Sequence, residues 1–204
     1  MRRKIILFFV ISLLLASRNA AAETLEDYIR QYNQNEAKLI AREITHAGRK
    51  YGIDPLFLSA VFRIESAYNN SAISSAGAIG ISQLMPETAN EIGANPYNIQ
   101  SNIDGGSRYL RQMINAHKNK GIYQYNYALA SYNAGLGQAG DHIPSFTYQY
   151  IQDVQDEYYK QKKIISDSGY YDQEDYYLQK KRGEQKKLLQ KLKQLRELRN
   201  KKTV

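Results

Sequence analysis

Glu65 is the residue of this chain whose surroundings best suit acid–base chemistry. It lies in the segment Arg-Ile-Glu-Ser-Ala-Tyr-Asn, residues 63–69. A carboxyl group packed against Ile64, Leu84 and Met85 would lose hydration, and burial raises the pKa of a carboxyl. An acid that keeps its proton near neutral pH can donate it to a leaving glycosidic oxygen. We therefore predict that Glu65 is a general acid; an ordinary surface acid at a helix terminus is the alternative.

Two further segments, residues 80–86 and 131–135, carry side chains suited to binding a sugar. Gln83 offers both a donor and an acceptor to hydroxyl or acetamido groups, and Met85 adds a flexible apolar contact. Tyr132 and Asn133 can stack on a sugar and hydrogen-bond to it. The alternatives are a core-filling apolar strip for the first segment and a simple helix cap for the second. Leu84 fits the core and a cleft equally well.

Helices must position these residues, because apolar side chains recur at helical spacing along most of the chain. Ile40 and Ile44 predict a helix over residues 36–51, which Gly52 ends. Asp54 and Pro55 then predict the cap and first residue of a helix whose last turn holds Glu65. Further helices are predicted over residues 86–92, 102–117, 123–131 and 147–165, with a loop over residues 69–80. Strand alternation is not visible, so we predict an all-α fold, mainly helical.

The first 22 residues have the features of a secretory signal peptide. Arg2, Arg3 and Lys4 precede an apolar run, and small residues precede position 23. The run is shorter than the roughly 20 residues that span a bilayer, which disfavours the alternative of a membrane anchor. The chain has no cysteine. We expect an extracytoplasmic product, in the periplasm or cell wall, after cleavage.

Charge divides the rest of the chain. The net charge is +8, and eleven Lys and Arg lie in residues 180–204 against Glu184 and Glu197. The basic character therefore belongs to the tail, which argues against a nucleic-acid groove in the domain. We predict a lead-in over residues 23–37, a single catalytic domain over 38–165, and a Tyr-rich linker with a basic, partly helical tail over 166–204. The tail is either a solvated helix or a segment that binds anionic wall polymer, a membrane surface, a protein partner or a second copy of the chain.

A metal or other cofactor is not expected. His46, His117 and His142 are widely separated and lack the ligand spacing of zinc sites. Each fits a surface or helix-end position.

Taken together, the motifs resemble those of the soluble lytic transglycosylase family, whose catalytic domain is similar to goose-type lysozyme. The resemblance covers roughly residues 38–160. Each segment alone is weakly specific, but several occur in the family's order and spacing: residues 65–66, 72–74, 80–86, 102–106, 131–135 and 147–154.

The resemblance implies a role for individual residues. Glu65 would be the single catalytic acid, and the substrate would contact Ser74, Gln83, Met85, Tyr132, Asn133 and Tyr150. Ser74 would steer the N-acetyl group of the substrate. Two departures stand out from the family pattern. Ser82 replaces a common methionine and would make the lining more polar, and Phe146 replaces a glutamate and would remove one contact to the glycan.

The resemblance also implies a lysozyme-like fold and cleavage of peptidoglycan glycan strands between N-acetylmuramic acid and N-acetylglucosamine. Glu65 would act as acid and then as base, and the muramic C6 hydroxyl would close a 1,6-anhydro ring. One alternative is a hydrolytic muramidase, for which Asp104 is the candidate second acid although its motif is typical of a structural role. Another is a non-catalytic peptidoglycan-binding module. Glu87 and Glu91 fit as charges on a short helix whose start favours acids.

Overall fold

Every regular element in the described part of the chain is a helix. The computed structural model describes residues 25–166. Its helices are α1 (residues 25–30), α2 (Ala37–Tyr51), α3 (Pro55–Ser66), α4 (Pro86–Glu91), α5 (Ile99–Ala116), α6 (Gln124–Ala134), α7 (Leu136–Ala139) and α8 (Tyr148–Ser166), with 3-10 segments at Lys118–Tyr123 and Ser145–Thr147. The all-α prediction is confirmed for this range. The signal peptide and nearly all of the predicted tail lie outside the described residues.

Helix α3 lies in the core. Its residues from Leu56 to Phe62 are all buried, on every side of the helix. A helix that is apolar on all sides is enclosed by its neighbours. Helix α2 packs against both α3 and α5, and α5 packs against α6. None of the helices within residues 25–166 is long and apolar enough to cross a membrane.

The ends of α2 and α3 follow the predicted signals. Gly52 ends α2 in the left-handed conformation, with φ of 62°. The Asp54 carboxylate accepts a hydrogen bond from the Leu56 amide at 2.9 Å, and Pro55 opens α3. Cap bonds of this kind contribute about 1 kcal/mol. They fix where α3 starts, whereas its end is marked by the left-handed Ala67, whose amide donates to the Arg63 carbonyl.

Helix α5 begins earlier than the sequence predicted. It starts at Ile99 and not at Asn102, because the Asn98 side chain caps it by accepting from the Ser101 amide at 3.0 Å. The earlier start places Asn102 inside the helix, where its side chain is fully buried.

The Asn102 side chain ties the loop before α4 to α5. Its Oδ1 accepts from the Ser82 amide at 2.7 Å and from the Ser82 hydroxyl at 2.8 Å. Its Nδ2 donates to the carbonyls of Ile79 and Pro96, each at 2.9 Å. Buried polar groups of a loop need such partners, since an unsatisfied one costs about 1–3 kcal/mol. The loop is therefore held in a single conformation against the helix.

Ser82 also packs against Gly106 of α5, so this glycine cannot acquire a side chain freely. A Cβ at Gly106 would lie 2.3 Å from the Ser82 Cβ and 2.5 Å from its Oγ. We expect Gly106→Ala to lower the free energy of unfolding by about 1–3 kcal/mol, as overpacking typically does. Urea denaturation measures this loss.

Gly137 of α7 provides the matched control for that prediction. A Cβ there meets nothing within 4 Å, and its backbone is in the helical region. Because alanine is preferred over glycine in helices, Gly137→Ala should leave stability unchanged or raise it by up to about 1 kcal/mol. Equal losses in both variants would show that contact with Ser82 is not the cause.

Candidate active site

Glu65 lies in the last turn of α3, as predicted, and the residue as a whole is half-buried. The Tyr150 hydroxyl donates a hydrogen bond to Glu65 Oε1 at 2.5 Å. Burial raises the pKa of Glu65 to about 7, while the bond from Tyr150 lowers it by a smaller amount. At neutral pH the carboxyl is thus divided between its acid and its carboxylate form. A group in this state can both donate and accept a proton.

Tyr150 reaches Glu65 from the first turn of α8. The two residues are 85 positions apart in the chain, so the bond depends on the packing of α8 beside the end of α3. Burial raises the pKa of Tyr150, and the Glu65 charge adds to that increase. Tyr150 therefore stays a neutral donor, and its hydroxyl fixes the direction in which Glu65 points.

The loop of residues 72–84 is fastened to the same end of α3. The Ser66 hydroxyl donates to the Ile81 carbonyl at 2.8 Å, directly beside Glu65. Within the loop, isolated antiparallel bridges pair Ile79 with Ile73 and with Leu84. Gly80 adopts a φ of 78°, a value that suits glycine. The predicted loop is confirmed, and its bridged pairs give it a defined shape.

The predicted binding residues Ser74 and Gln83 are part of this loop. Ser74 Oγ accepts from the Ala78 amide at 2.9 Å. Gln83 has a left-handed backbone with φ of 48°, and its Nε2 donates to the carbonyls of Gly80 at 2.9 Å and Ala72 at 3.3 Å. Both side chains are half-buried. The loop therefore orients them through its own backbone.

Leu84 and Met85, which follow in the sequence, separate into core and surface. Leu84 is 2% exposed and belongs to the core, whereas Met85 is 38% exposed. The question that the sequence left open for Leu84 is therefore decided in favour of the core. Met85 remains available for a substrate contact.

Tyr132 and Asn133 lie near the end of α6 and differ in exposure. Tyr132 is buried, its hydroxyl donates to the Ser82 carbonyl at 2.8 Å, and its ring lies 5.4 Å from that of Tyr109. Burial raises the pKa of Tyr132, and the Glu65 charge contributes, which places Tyr132 within electrostatic reach of Glu65. Asn133 is exposed to solvent. The substrate contacts of Tyr132 and Asn133 stay predictions.

Ser82 does not have the role that the sequence predicted. It was expected to give the cleft a more polar lining, but it is fully buried and bonded to Asn102. Its polarity is satisfied inside the protein. The supporting role of Asn102 was missed, because an asparagine at the start of a predicted helix is usually its cap. Phe146, the other departure, is 63% exposed.

The other candidate acids are engaged elsewhere or exposed. Asp104 accepts from Lys50 Nζ at 2.6 Å and from the Tyr51 hydroxyl at 2.9 Å, which joins α5 to the end of α2. Glu87 and Glu91 are exposed on α4. The structural role expected for Asp104 is thus supported by its contacts.

The described residues contain no group of three His, Asp or Glu side chains that could hold a metal ion. His46 and His142 are exposed. His117 ends α5 as expected but is buried, and its Nε2 shares a hydrogen bond with Ser131 Oγ at 2.8 Å. The surface position is therefore wrong for His117, while the helix-end position is confirmed.

The known proteins that this chain resembles are transglycosylases. The family model described as the transglycosylase SLT domain matches residues 42–154. The chain is 36% identical over 94 residues to a transglycosylase of Enterobacteria phage PRD1, a match covering 46% of this chain and 34% of that protein. It is 33% identical over 110 residues to membrane-bound lytic murein transglycosylase C of Glaesserella parasuis serovar 5 (strain SH0165), covering 46% of this chain and 30% of that protein.

A solved structure of an inactive mutant of lytic transglycosylase Slt from Pseudomonas aeruginosa is also similar. Its TM-score is 0.48 at 26% identity, and the match covers 68% of this chain and 28% of that one. The chain spans about a third of the length of the two curated relatives it matches.

Proposed function

Since the chain belongs to the transglycosylase SLT domain family, we propose that it is a lytic transglycosylase that cleaves the glycan strands of peptidoglycan. The observation that carries this proposal is the half-buried Glu65, whose pKa is about 7 and whose carboxyl is bonded by Tyr150. The bond cleaved would be the β-1,4 link between N-acetylmuramic acid and N-acetylglucosamine. Murein-cleaving relatives support this choice of substrate.

The first step is protonation of the leaving oxygen. The acid form of Glu65 gives its proton to the glycosidic oxygen as the bond between that oxygen and the muramic C1 breaks. A positioned general acid typically contributes a factor of about 10²–10⁴ to the rate. Tyr150 holds the carboxyl in one orientation, which keeps the proton directed toward the substrate.

The second step restores the acid. The muramic C6 hydroxyl oxygen attacks C1 and closes the 1,6-anhydro ring, while its proton passes to the Glu65 carboxylate. Water is neither consumed nor released, so one carboxyl group serves both steps. A carboxyl with a pKa of about 7 is suited to this alternation, because neither form is strongly disfavoured at neutral pH.

Substrate contacts are proposed for the loop and for the end of α6. The Gln83 amide nitrogen bonds the loop backbone, so its Oε1 would accept from a sugar hydroxyl or N-acetyl N–H group. Ser74 would steer the N-acetyl group, and Met85 and Asn133 would meet the glycan at their exposed surfaces. Because Tyr132 is buried and donates to Ser82, its contribution is support from beneath the site.

The alternatives make different use of these residues. A hydrolase needs a second carboxylate to activate water, and the contacts of Asp104 with Lys50 and Tyr51 disfavour it for that task. A non-catalytic binding module would not need a carboxyl with a raised pKa. Incubation with purified peptidoglycan separates enzyme from binder: an enzyme lowers the turbidity of the suspension, whereas a binder cosediments with it and leaves turbidity unchanged.

The site of action would be extracytoplasmic, because its proposed substrate is the cell wall. Cleavage of the predicted signal peptide would release the chain into the periplasm or wall. The basic tail would add an electrostatic contact with anionic wall polymer, a membrane surface or a protein partner.

Replacing Tyr150 by phenylalanine should change the pH dependence of the reaction. The hydroxyl bond lowers the pKa of Glu65, so its loss raises that pKa and moves the alkaline limb of the rate profile to higher pH. The rate at the optimum should fall by about 10-fold, since the carboxyl loses its orienting partner. Turbidity assays between pH 5 and about 9 measure both effects.

Tyr148→Phe is the control for Tyr150→Phe. Tyr148 lies in the same turn of α8 and is exposed, so its substitution should leave the profile unchanged. An unchanged profile for Tyr150→Phe as well would remove the assigned bond from the mechanism.

A further inference from the structure

The chain immediately after Glu65 has an unusual backbone. Ala67 and Tyr68 both adopt the left-handed region, with φ of 53° and 61°. Neither is a glycine, and two successive residues of this kind are strained. Such a turn persists only where its surroundings hold it. Its position matters, because it begins two residues after the proposed catalytic acid.

Asn33, in the lead-in before α2, holds this turn from one side. Its Nδ2 donates to the Tyr68 carbonyl at 2.9 Å. Asn33 is itself fixed, since its Oδ1 accepts from the Glu36 amide at 3.0 Å and its Nδ2 also donates to the Glu36 carboxylate at 2.9 Å. The same lead-in places the Tyr32 ring under the Arg63 guanidinium, at 3.9 Å. The lead-in therefore contacts the last turn of α3 at Arg63 and the left-handed turn after it at Tyr68.

The Tyr68 side chain holds the turn from the other side. It is fully buried, and its hydroxyl shares a hydrogen bond with Ser59 Oγ at 2.8 Å and accepts from Gln161 Nε2 at 3.3 Å. Gln161 lies on α8, the helix that also carries Tyr150. The end of α3 is thus joined to α8 at two places, about 16 Å apart along that helix.

A buried carboxylate connects the lead-in to α8. Glu157 accepts hydrogen bonds from the Tyr28 hydroxyl and, at 3.0 Å, from Gln161 Nε2. Tyr28 is 1% exposed and Glu157 is 9% exposed. Asn33, Tyr28, Glu157 and Gln161 all lie outside residues 42–154, the part of the chain that the family model matches.

We propose that Asn33 and Tyr68 are positioning residues, and that residues 25–33 form a clamp that holds Glu65 against Tyr150. The clamp acts through the left-handed turn at Ala67 and Tyr68, which connects the lead-in and Gln161 to the end of α3. The expected effect of the clamp on catalysis rests on the proposed function. Its effect on the position of the Glu65 carboxyl does not.

The test compares Asn33→Ala with Asn35→Ala. Asn35 is exposed two residues away in the same segment, so it is a matched control. In the full chain, Asn33→Ala should lower kcat for peptidoglycan cleavage by about 10- to 100-fold with KM within about twofold, as expected when a reacting group is misplaced. Asn35→Ala should change neither constant. Asn33→Asp keeps the acceptor but loses the donor to Tyr68, and should behave like Asn33→Ala.

A second readout does not depend on activity. Titration of the Glu65 side-chain carboxyl by carbon NMR gives its pKa directly in each variant. Burial is the larger cause of the raised value, so loosening the clamp should lower that pKa by about half a pH unit or more. If the wild-type chain fails to cleave peptidoglycan, the proposed function is wrong. This titration alone then tests whether the clamp positions the Glu65 carboxyl.

Tyr68→Phe is a second variant that tests the clamp if Asn33→Ala fails to fold. It keeps the buried ring and removes only the bonds to Ser59 and Gln161, and the same shifts in kcat and in the Glu65 pKa are expected. Folded Asn33→Ala and Tyr68→Phe proteins with unchanged kcat and an unchanged Glu65 pKa would overturn the proposal and leave both residues a purely structural role.

Discussion

Glu65→Gln is expected to reduce peptidoglycan cleavage by about 10²–10⁴-fold, the range that a general acid contributes. Glutamine keeps the size of the side chain and an acceptor oxygen for the Tyr150 hydroxyl. It has no acidic proton, so the leaving oxygen departs unprotonated. Release of soluble fragments from purified peptidoglycan measures the loss.

Glu87→Gln is the matched control for this variant. Glu87 is exposed in the first turn of α4, and its neutralisation should leave the rate within about twofold of the wild type, as expected of a group outside the reaction. Residual activity in Glu65→Gln within about tenfold of the wild type would assign the proton donor to another residue.

Glu65→Gln should also be more stable than the wild type at alkaline pH. The folded-state pKa of Glu65, about 7, lies above the ordinary value of 4.5. Between these values the unfolded chain ionises while the folded one keeps its proton, so wild-type stability falls as pH rises through this window. Glutamine cannot ionise. The gain should be about 1–3 kcal/mol at pH 8 and absent near pH 4. Urea denaturation at both pH values also verifies that the variant folds.

Asn102→Ala should give the largest loss of stability, about 3–5 kcal/mol. It removes four hydrogen bonds, to Ser82, Ile79 and Pro96, from a fully buried position. Each buried group left unsatisfied costs about 1–3 kcal/mol. The loop that carries Gln83 should also lose its fixed shape, so the rate of cleavage should fall together with the free energy of unfolding in urea.

Asn115→Ala separates this effect from a general effect of asparagine in α5. Asn115 is on the same helix and is exposed, and its replacement should change stability by less than about 0.5 kcal/mol. A loss below about 1 kcal/mol in Asn102→Ala would contradict the role of this side chain in holding the loop.

The end of α3 could be predicted from the sequence because its signals are local. Asp54 and Pro55 act within one turn of the helix start, and the loop predicted from residue 69 onward places Glu65 in the last turn. The direction of the Glu65 pKa shift was also predictable, since Ile64, Leu84 and Met85 are apolar and belong to the same motifs. The Tyr150 bond was not predictable from local pattern, because the two residues are 85 positions apart.

Ser82 and Asn102 show why the rest could not be predicted. A serine in a glycine-containing loop is usually exposed to solvent, and an asparagine near a helix start is usually a cap. In this protein the Ser82 hydroxyl donates to the Asn102 side chain in the interior, so each supplies the other's hydrogen-bond partner. The type of either residue alone does not indicate that it is buried. Asn98 provides the actual cap. The left-handed backbone of Ala67 and Tyr68 was likewise hidden, because neither residue type signals it.

The most direct test of the proposed chemistry is the mass of the products released from purified peptidoglycan. The single carboxyl at Glu65 predicts fragments that end in 1,6-anhydromuramic acid, formed by the wild type and absent with Glu65→Gln. Fragments one water heavier, with reducing ends, would contradict the internal attack by the C6 hydroxyl and would establish a hydrolase instead.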